Sequence, residues 1–185
     1  MERRLLLKSV LALPAALWLP RGGAATPTPA CGDETPAQTA GPFYTPDTPL
    51  KSDFRADDPG GAPLDLHVTV LDAQCRPMPG AVVDLWHANT RGRYDNEGFR
   101  LRGHQAADAK GGVRFSTVLP GNYGSRTRHF HARIFRPGGG RLLTTQLYFP
   151  GEAGNGDDGL FRPELLLALE KGAALQARFA FVVEA

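Results

Sequence analysis

The sequence carries little surplus charge. Its 21 Lys and Arg stand against 19 Asp and Glu, a net +2, and +3 of that lies in residues 1–25, so the remaining 160 residues sum to −1. Such a domain has no electrostatic footprint for nucleic acid and no polybasic patch for anionic lipid. Long apolar runs are missing too. The run Ser9–Pro20 is 12 residues, short of the roughly 20 that a spanning helix needs. No repeat of 20–50 residues, no phosphate-binding glycine motif and no Gly-x-Ser-x-Gly elbow occurs, which removes solenoid architectures, P-loop chemistry and the α/β-hydrolase nucleophile. Asp95-Asn96-Glu97-Gly98 and Asn155-Gly156-Asp157-Asp158 lack the full ligand spacing of a calcium loop and read as turns. Cysteine occurs only twice, as Cys31 and Cys75.

What is present fits one exported domain. The 185 residues suffice for a single buried core and are too few for two ordinary ones. Residues 1–25 read as an export leader: Arg3, Arg4 and Lys8 form a positive start, the apolar run follows, and Gly23-Ala24-Ala25 offers small residues for cleavage. Arg3-Arg4-Leu5-Leu6-Leu7-Lys8 resembles a twin-arginine signal, with an ordinary secretory signal as the alternative; either predicts a mature chain in the periplasm or outside the cell, and the twin-arginine route suits a cofactor loaded before export. An even pair of cysteines in an oxidising compartment predicts a Cys31–Cys75 disulfide. Residues 26–60, rich in Pro, Gly, Thr and Asp, predict an extended arm, and residues 61–185 the folded domain.

Within that domain, Leu64, Leu66, Val68 and Val70 alternate with Asp65, His67 and Thr69, the period of a half-buried strand. Further strands are predicted over Ala81–Trp86, Val113–Val118, His129–Phe135, Leu142–Phe149 and Ala174–Val183, separated by Gly- and Pro-containing turns. A short helix is predicted over Pro163–Lys171, with proline near its start and Gly172 as its stop. The expected fold is all-β: an antiparallel sandwich of about 6–8 strands.

His129-Phe130-His131 lies on one of these strands, so both imidazoles share a face and can reach one metal ion. A structural role for the pair stays equally open at this point. Two of the four tyrosines, Tyr94 and Tyr123, sit in loops near that strand. Phenolate is a hard oxygen donor suited to a highly charged ion such as ferric iron, whereas zinc prefers Cys, His and carboxylate. A copper or zinc sandwich would need a third histidine or cysteine near the pair, and the sequence offers no obvious one.

Six motifs then occur in order: Gly41-Pro42-Phe43-Tyr44, Gly80-Ala81-Val82-Val83-Asp84-Leu85-Trp86-His87-Ala88-Asn89, Gly92-Arg93-Tyr94, Pro120-Gly121-Asn122-Tyr123, Arg126-Thr127-Arg128-His129-Phe130-His131 and Thr144-Thr145-Gln146-Leu147-Tyr148-Phe149-Pro150. Together they resemble the intradiol ring-cleavage dioxygenases of the protocatechuate dioxygenase kind. The resemblance implies non-haem Fe(III) held by Tyr94, Tyr123, His129 and His131, with Tyr123 leaving the metal to accept a substrate proton. It implies that Arg126 steadies negative charge on a bound catecholate and that Gln146 lines the oxygen side. It implies a reaction in which a catechol and O2 give a muconate-type diacid by cleavage between the two hydroxyl-bearing carbons. Tyr44 is read as a substrate contact and Tyr148 as a packing residue that also walls the pocket. Trp86 is read as core, His87 and His104 as surface residues or one step back from the site, and His67 as solvent-facing. The expected partners are a small catechol and O2, with a homo-oligomer open. Only five residues separate Tyr123 from His129, where the better-studied relatives carry a longer insert; the resemblance therefore leaves the substrate open. The competing reading is a non-catalytic transthyretin-like or carbohydrate-binding sandwich, and convergence of the four ligand candidates is what separates the two.

Overall fold

Alternation in Pro63–Asp72 buries Leu64, Leu66, Val68 and Val70 and turns the residues between them outward, which makes this segment strand β1. A computed structural model describes residues 32–184. The other strands are β2 (Val82–Trp86), β3 (Arg102–Ala106), β4 (Gly112–Val118), β5 (His129–Phe135), β6 (Arg141–Tyr148), β7 (Ala168–Glu170) and β8 (Leu175–Val183). They form two four-stranded sheets, ordered β4-β1-β8-β7 and β3-β2-β5-β6. Leu66, Phe115, Phe179 and Phe181 of the first sheet and Val83, Leu85, Phe130, Ile134 and Leu147 of the second belong to one core. The sandwich is therefore as expected, with one parallel pair, β1 and β8. Parallel neighbours need a long crossover connection, and here the whole second sheet intervenes in the chain.

Two local expectations are corrected. No helix forms over Pro163–Lys171: Pro163–Leu165 make one 3-10 turn and Ala168–Glu170 pair antiparallel with β8. The leucine cluster there suits either period, and Leu165 and Leu167, two residues apart, are the pair that becomes buried. Strand β3 escaped the sequence reading because Arg-Gly-His-Gln-Ala has no apolar alternation. It becomes a strand because β2 pairs with it on one side and the N-terminal arm lies along its other edge, with His104 N–H donating to Pro49 and Lys51 N–H to His104.

The arm closes other edges as well. Gln38 N–H donates to the Thr144 carbonyl on β6, and Phe54 N–H to Ser116 on β4. Unpaired strand edges invite association with other chains, and the arm removes that opportunity while carrying residues 38–44 across the outer face of the second sheet.

His87, read as a surface residue or one standing a step back from the site, is buried. Its Nε2 lies 2.7 Å from Thr117 Oγ1 and its Nδ1 2.8 Å from the Ala88 carbonyl. Burial holds its pKa down at about 4, against the usual 6.5. The unfolded chain takes up a proton below pH 6.5 that the folded chain refuses until about pH 4, so stability is lost as pH falls through that window and by about 3 kcal/mol in full. Denaturant unfolding of wild type and His87→Gln between pH 7.5 and 4 should show a steep acid slope in the wild type and a shallower one in the variant. Equal slopes would refute this assignment.

The leader assigned to residues 1–25 and the residue Cys31 lie outside the described residues. Cys75 is not a free thiol. The Cys31–Cys75 pairing remains our proposal. It closes a loop of about 45 residues, worth about 3–4 kcal/mol by chain entropy. Thiol counting on unreduced, denatured protein should find none, and two would exclude the bond.

Candidate active site

Strand register performs the first part of the assembly. His129 and His131 of β5 face away from the core, while Phe130, Ala132 and Ile134 join it. Trp86 and Gln146 are the direct cross-strand partners of His131, and Tyr148 is that of His129. These five side chains therefore share the outer face of the second sheet. Trp86 is buried, as expected, yet its ring lies flat on the His131 imidazole, with centroids 4.9 Å apart and planes 7° apart.

Two loops reach over this face, one after β2 bearing Tyr94 and one before β5 bearing Tyr123. They touch at Gly92, whose φ is +70° and where a Cβ would lie 1.8 Å from the Asn122 carbonyl oxygen. Only glycine permits that approach. The arm crosses at Gly41 (φ +65°), whose missing Cβ would sit 3.6 Å from His131 Cε1. Phe43 follows, stacked on Tyr94 at 4.6 Å and edge-on to Tyr123 at 5.1 Å. The buried Arg102 fastens both segments: its guanidinium donates to the Phe43 carbonyl at 2.5 Å, to Thr45 Oγ1 at 3.0 Å, and to the Asp95 carbonyl.

Three donor atoms meet under this cover. Tyr94 Oη lies 3.1 Å from His129 Nε2 and 3.0 Å from His131 Nε2, and the two imidazole nitrogens are 3.1 Å apart. Ligands held about 2.1 Å from one cation and at right angles to each other stand about 3.0 Å apart, so the triangle has the edge length of a coordination shell. The tautomer fits as well. His129 Nδ1–H donates to the Thr127 carbonyl at 2.6 Å, which leaves the Nε2 lone pair facing the triangle. Burial holds His129 down at about 4 and His131 well below its usual range, so both rings are neutral donors. Burial raises the Tyr94 phenol, and a bound cation of high charge would reverse that by stabilising the phenolate. Among the described residues no cluster of three His, Cys, Asp or Glu stands within ligating range, so any cation held here would need a tyrosine oxygen beside the two imidazoles.

The fourth candidate stands apart. Tyr123 is 38% exposed, its ring edge-on to Tyr94 at 5.5 Å, and its hydroxyl is outside the hydrogen-bonded triangle. Arg126 is adjacent. Its Nε donates to both carboxylate oxygens of Asp158 at 2.8 Å, and its Nη2 to Gln146 Oε1 at 2.6 Å and Tyr148 Oη at 3.2 Å. Gln146 is wholly buried, with its amide nitrogen donating to the Thr39 carbonyl. Tyr148 is buried rather than a free wall, its hydroxyl engaged by Gln38 and Leu160, and burial pushes its phenol up to about 12. Tyr44 is not brought to the triangle. Its hydroxyl donates to Asp84 at 3.2 Å and its ring packs between Trp86 and the Arg133 guanidinium. His104 bonds Thr48 of the arm and lies off the site.

Sequence reading missed Phe43, Arg102 and Asp158 as parts of this assembly. Phe43 lay inside a recognised motif. Arg102 and Asp158 had no signal, because nothing in the local pattern announces a buried charge.

A family model described as Dioxygenase matches residues 39–181. This chain belongs to the intradiol ring-cleavage dioxygenase family. It is 33% identical over 153 residues to a catechol 1,2-dioxygenase of Acinetobacter baylyi, an alignment covering 67% of this chain and 49% of that one. Among solved structures it superposes on the dioxygenase domain of a dioxygenase–carbohydrate-binding fusion from Streptomyces sp. SirexAA-E, with a TM-score of 0.79 and 41% identity, covering 83% of this chain and 99% of that one. It is also similar to catechol 1,2-dioxygenase from Pseudomonas arvilla C-1, with a TM-score of 0.71 and 29% identity over 82% of this chain and 62% of that one. The chain spans about half the length of the curated relatives it matches. The intradiol family model begins at residue 39, so it takes in the part of the arm that covers the site.

Proposed function

We propose that this intradiol family member is an exported Fe(III)-dependent dioxygenase that cleaves a catechol between its hydroxyl-bearing carbons, adding both atoms of O2 to give a muconate-type diacid. The meeting of Tyr94 Oη with the Nε2 atoms of His129 and His131 at 3.0–3.1 Å carries this reading, with the Arg126 guanidinium close by. A non-catalytic sandwich module has no use for that donor set. Tyr94, His129 and His131, with Tyr123 as the fourth ligand, would hold ferric iron, which when bound would supply the Lewis acidity that favours a catecholate and its reaction with O2.

The chain's own groups supply the rest. Tyr123, half-exposed at the mouth, is placed to take a proton from an incoming catechol hydroxyl. Arg126 Nη1 has no partner among the described residues and can face the charge that gathers on the substrate oxygens. Gln146 is pinned on both sides and orients Arg126. Phe43 and the arm backbone exclude water from one side. The link from Tyr123 to His129 is a tight turn, closed by Arg126 N–H to Tyr123 and Tyr123 N–H to Arg126. It builds no lid, which supports a site open to ring-substituted catechols in the breakdown of aromatic compounds.

The test is a visible spectrum of the purified protein together with product analysis. Tyrosinate on ferric iron absorbs in the visible, so the loaded protein should be red-brown and should consume one O2 per diacid formed. A colourless protein saturated with zinc and inert toward catechol would overturn the reading.

A further inference from the structure

The segment Asn155–Asp158, a mere turn by sequence, holds the most completely engaged carboxylate near the site. The Asp158 side chain is 0% exposed. Its Oδ1 accepts from Arg126 Nε at 2.8 Å and from Leu160 N–H at 3.0 Å; its Oδ2 accepts from Arg126 Nε at 2.8 Å and from Thr127 N–H at 3.0 Å. A carboxylate removed from water is costly unless its charge and lone pairs are met, and here three N–H groups serve the two oxygens, with the Arg126 Nε–H shared between them. The side chain is itself fixed by its own turn: Leu160 N–H closes on Oδ1, Phe161 N–H donates to the Asp158 carbonyl, and Asp158 N–H donates to Gly154.

We propose that Asp158 is the positioning residue of the site, its buried carboxylate setting both the Arg126 guanidinium and the segment that carries His129. On the arginine side, Asp158 takes Nε while Gln146 and Tyr148 take Nη2. Two edges of a rigid planar fork are thereby occupied, and Nη1 alone is left for an anionic substrate oxygen. On the histidine side, Thr127 is clamped between Asp158, which accepts its N–H, and His129, whose Nδ1–H donates to its carbonyl. One carboxylate therefore links the charge that meets the substrate to a donor of the triangle. This inference rests on the ring-cleavage reading for its kinetic consequence and on geometry alone for its structural one.

The experiment is a double-mutant cycle on the holoenzyme, with Asp158→Asn, Arg126→Ala and the pair. kcat/KM for catechol and the affinity for 4-nitrocatechol, whose electron-poor ring resists cleavage, are measured in each. Asp158→Asn should lower both by about 10–100-fold, as loss of an outer partner does, and by at least about threefold less when Arg126 is already alanine, because the part carried by the guanidinium is then gone and only the part carried through Thr127 and His129 remains. Equal losses in both backgrounds, or an Asp158→Asn enzyme within about twofold of wild type, would overturn the proposal. If Asp158→Asn does not fold, Asp158→Glu, which keeps the charge but not the reach, enters the same cycle and is judged by the same outcomes. A wild type that neither cleaves catechol nor binds 4-nitrocatechol would overturn the ring-cleavage reading instead. Hydrogen exchange in metal-free protein then decides Asp158 by itself: Arg126 Nε–H and the Thr127 amide should exchange at least about tenfold faster in Asp158→Asn, and unchanged rates would overturn the proposal.

Discussion

Replacing His131 by alanine is expected to strip the protein of iron and colour and to abolish ring cleavage. His131 Nε2 sits 3.0 Å from Tyr94 Oη and 3.1 Å from His129 Nε2, so its removal takes away one of three converging donors. The loss should exceed the roughly 10–100-fold that removing an outer partner of a metal ligand costs. Tyr94→Phe should act in the same direction and remove the charge-transfer absorption of that phenolate. Tyr44→Phe is the control. Its hydroxyl bonds Asp84 and not the triangle, so the variant should lose about 1 kcal/mol of stability and keep its iron. Metal analysis, visible spectra and turnover of the three proteins decide the matter. A His131→Ala protein with full iron content and wild-type rate would remove the proposed centre.

Arg126→Ala is expected to lower kcat by about 10²–10³-fold, the cost of deleting one preorganised donor to a developing oxyanion. The loss should be similar for catechol, alkyl- and chlorocatechols, protocatechuate and hydroxyquinol, because Arg126 acts at the reacting end that all of them share. Among these substrates the wild type should discriminate weakly. One methylene more or less in a closed apolar pocket is worth only about 1–3 kcal/mol, and the tight turn from Tyr123 to Arg126 builds no wall over the distal ring positions. Comparing kcat/KM for wild type and variant across the series tests both statements. A single substrate preferred by several orders of magnitude would show a pocket closed by other residues, with Phe43 of the arm the first to examine. Retention of wild-type kcat by Arg126→Ala would remove the arginine from the chemistry.

Much of this assembly is written in the sequence by itself. The two-residue alternation of Leu64–Val70 and of His129-Phe130-His131 is a local property, since successive side chains of a strand face opposite ways. Together with the Gly- and Pro-containing turns it placed six of the eight strands, and it put both histidines on one face. The tyrosines, Arg126 and Gln146 were legible through motifs in a fixed order. Other features were decided only when the sheets came together. Strand β3 has no pattern of its own and exists because β2 and the arm pair with it. Pro163–Lys171 carries apolar residues that fit either period, and pairing of Ala168–Glu170 with β8 selected the extended form. The sequence left His87 either at the surface or a step back from the site, and packing buried it between Phe54 and Phe130. Asp158 lies 32 positions from the arginine it holds, and Phe43 51 positions from the tyrosine it covers. Local spacing determines which way a side chain points along its own strand. Which distant group it meets, and whether a charge there is buried and paired, depends on loop closure and sheet packing, and those were settled by the tertiary structure alone.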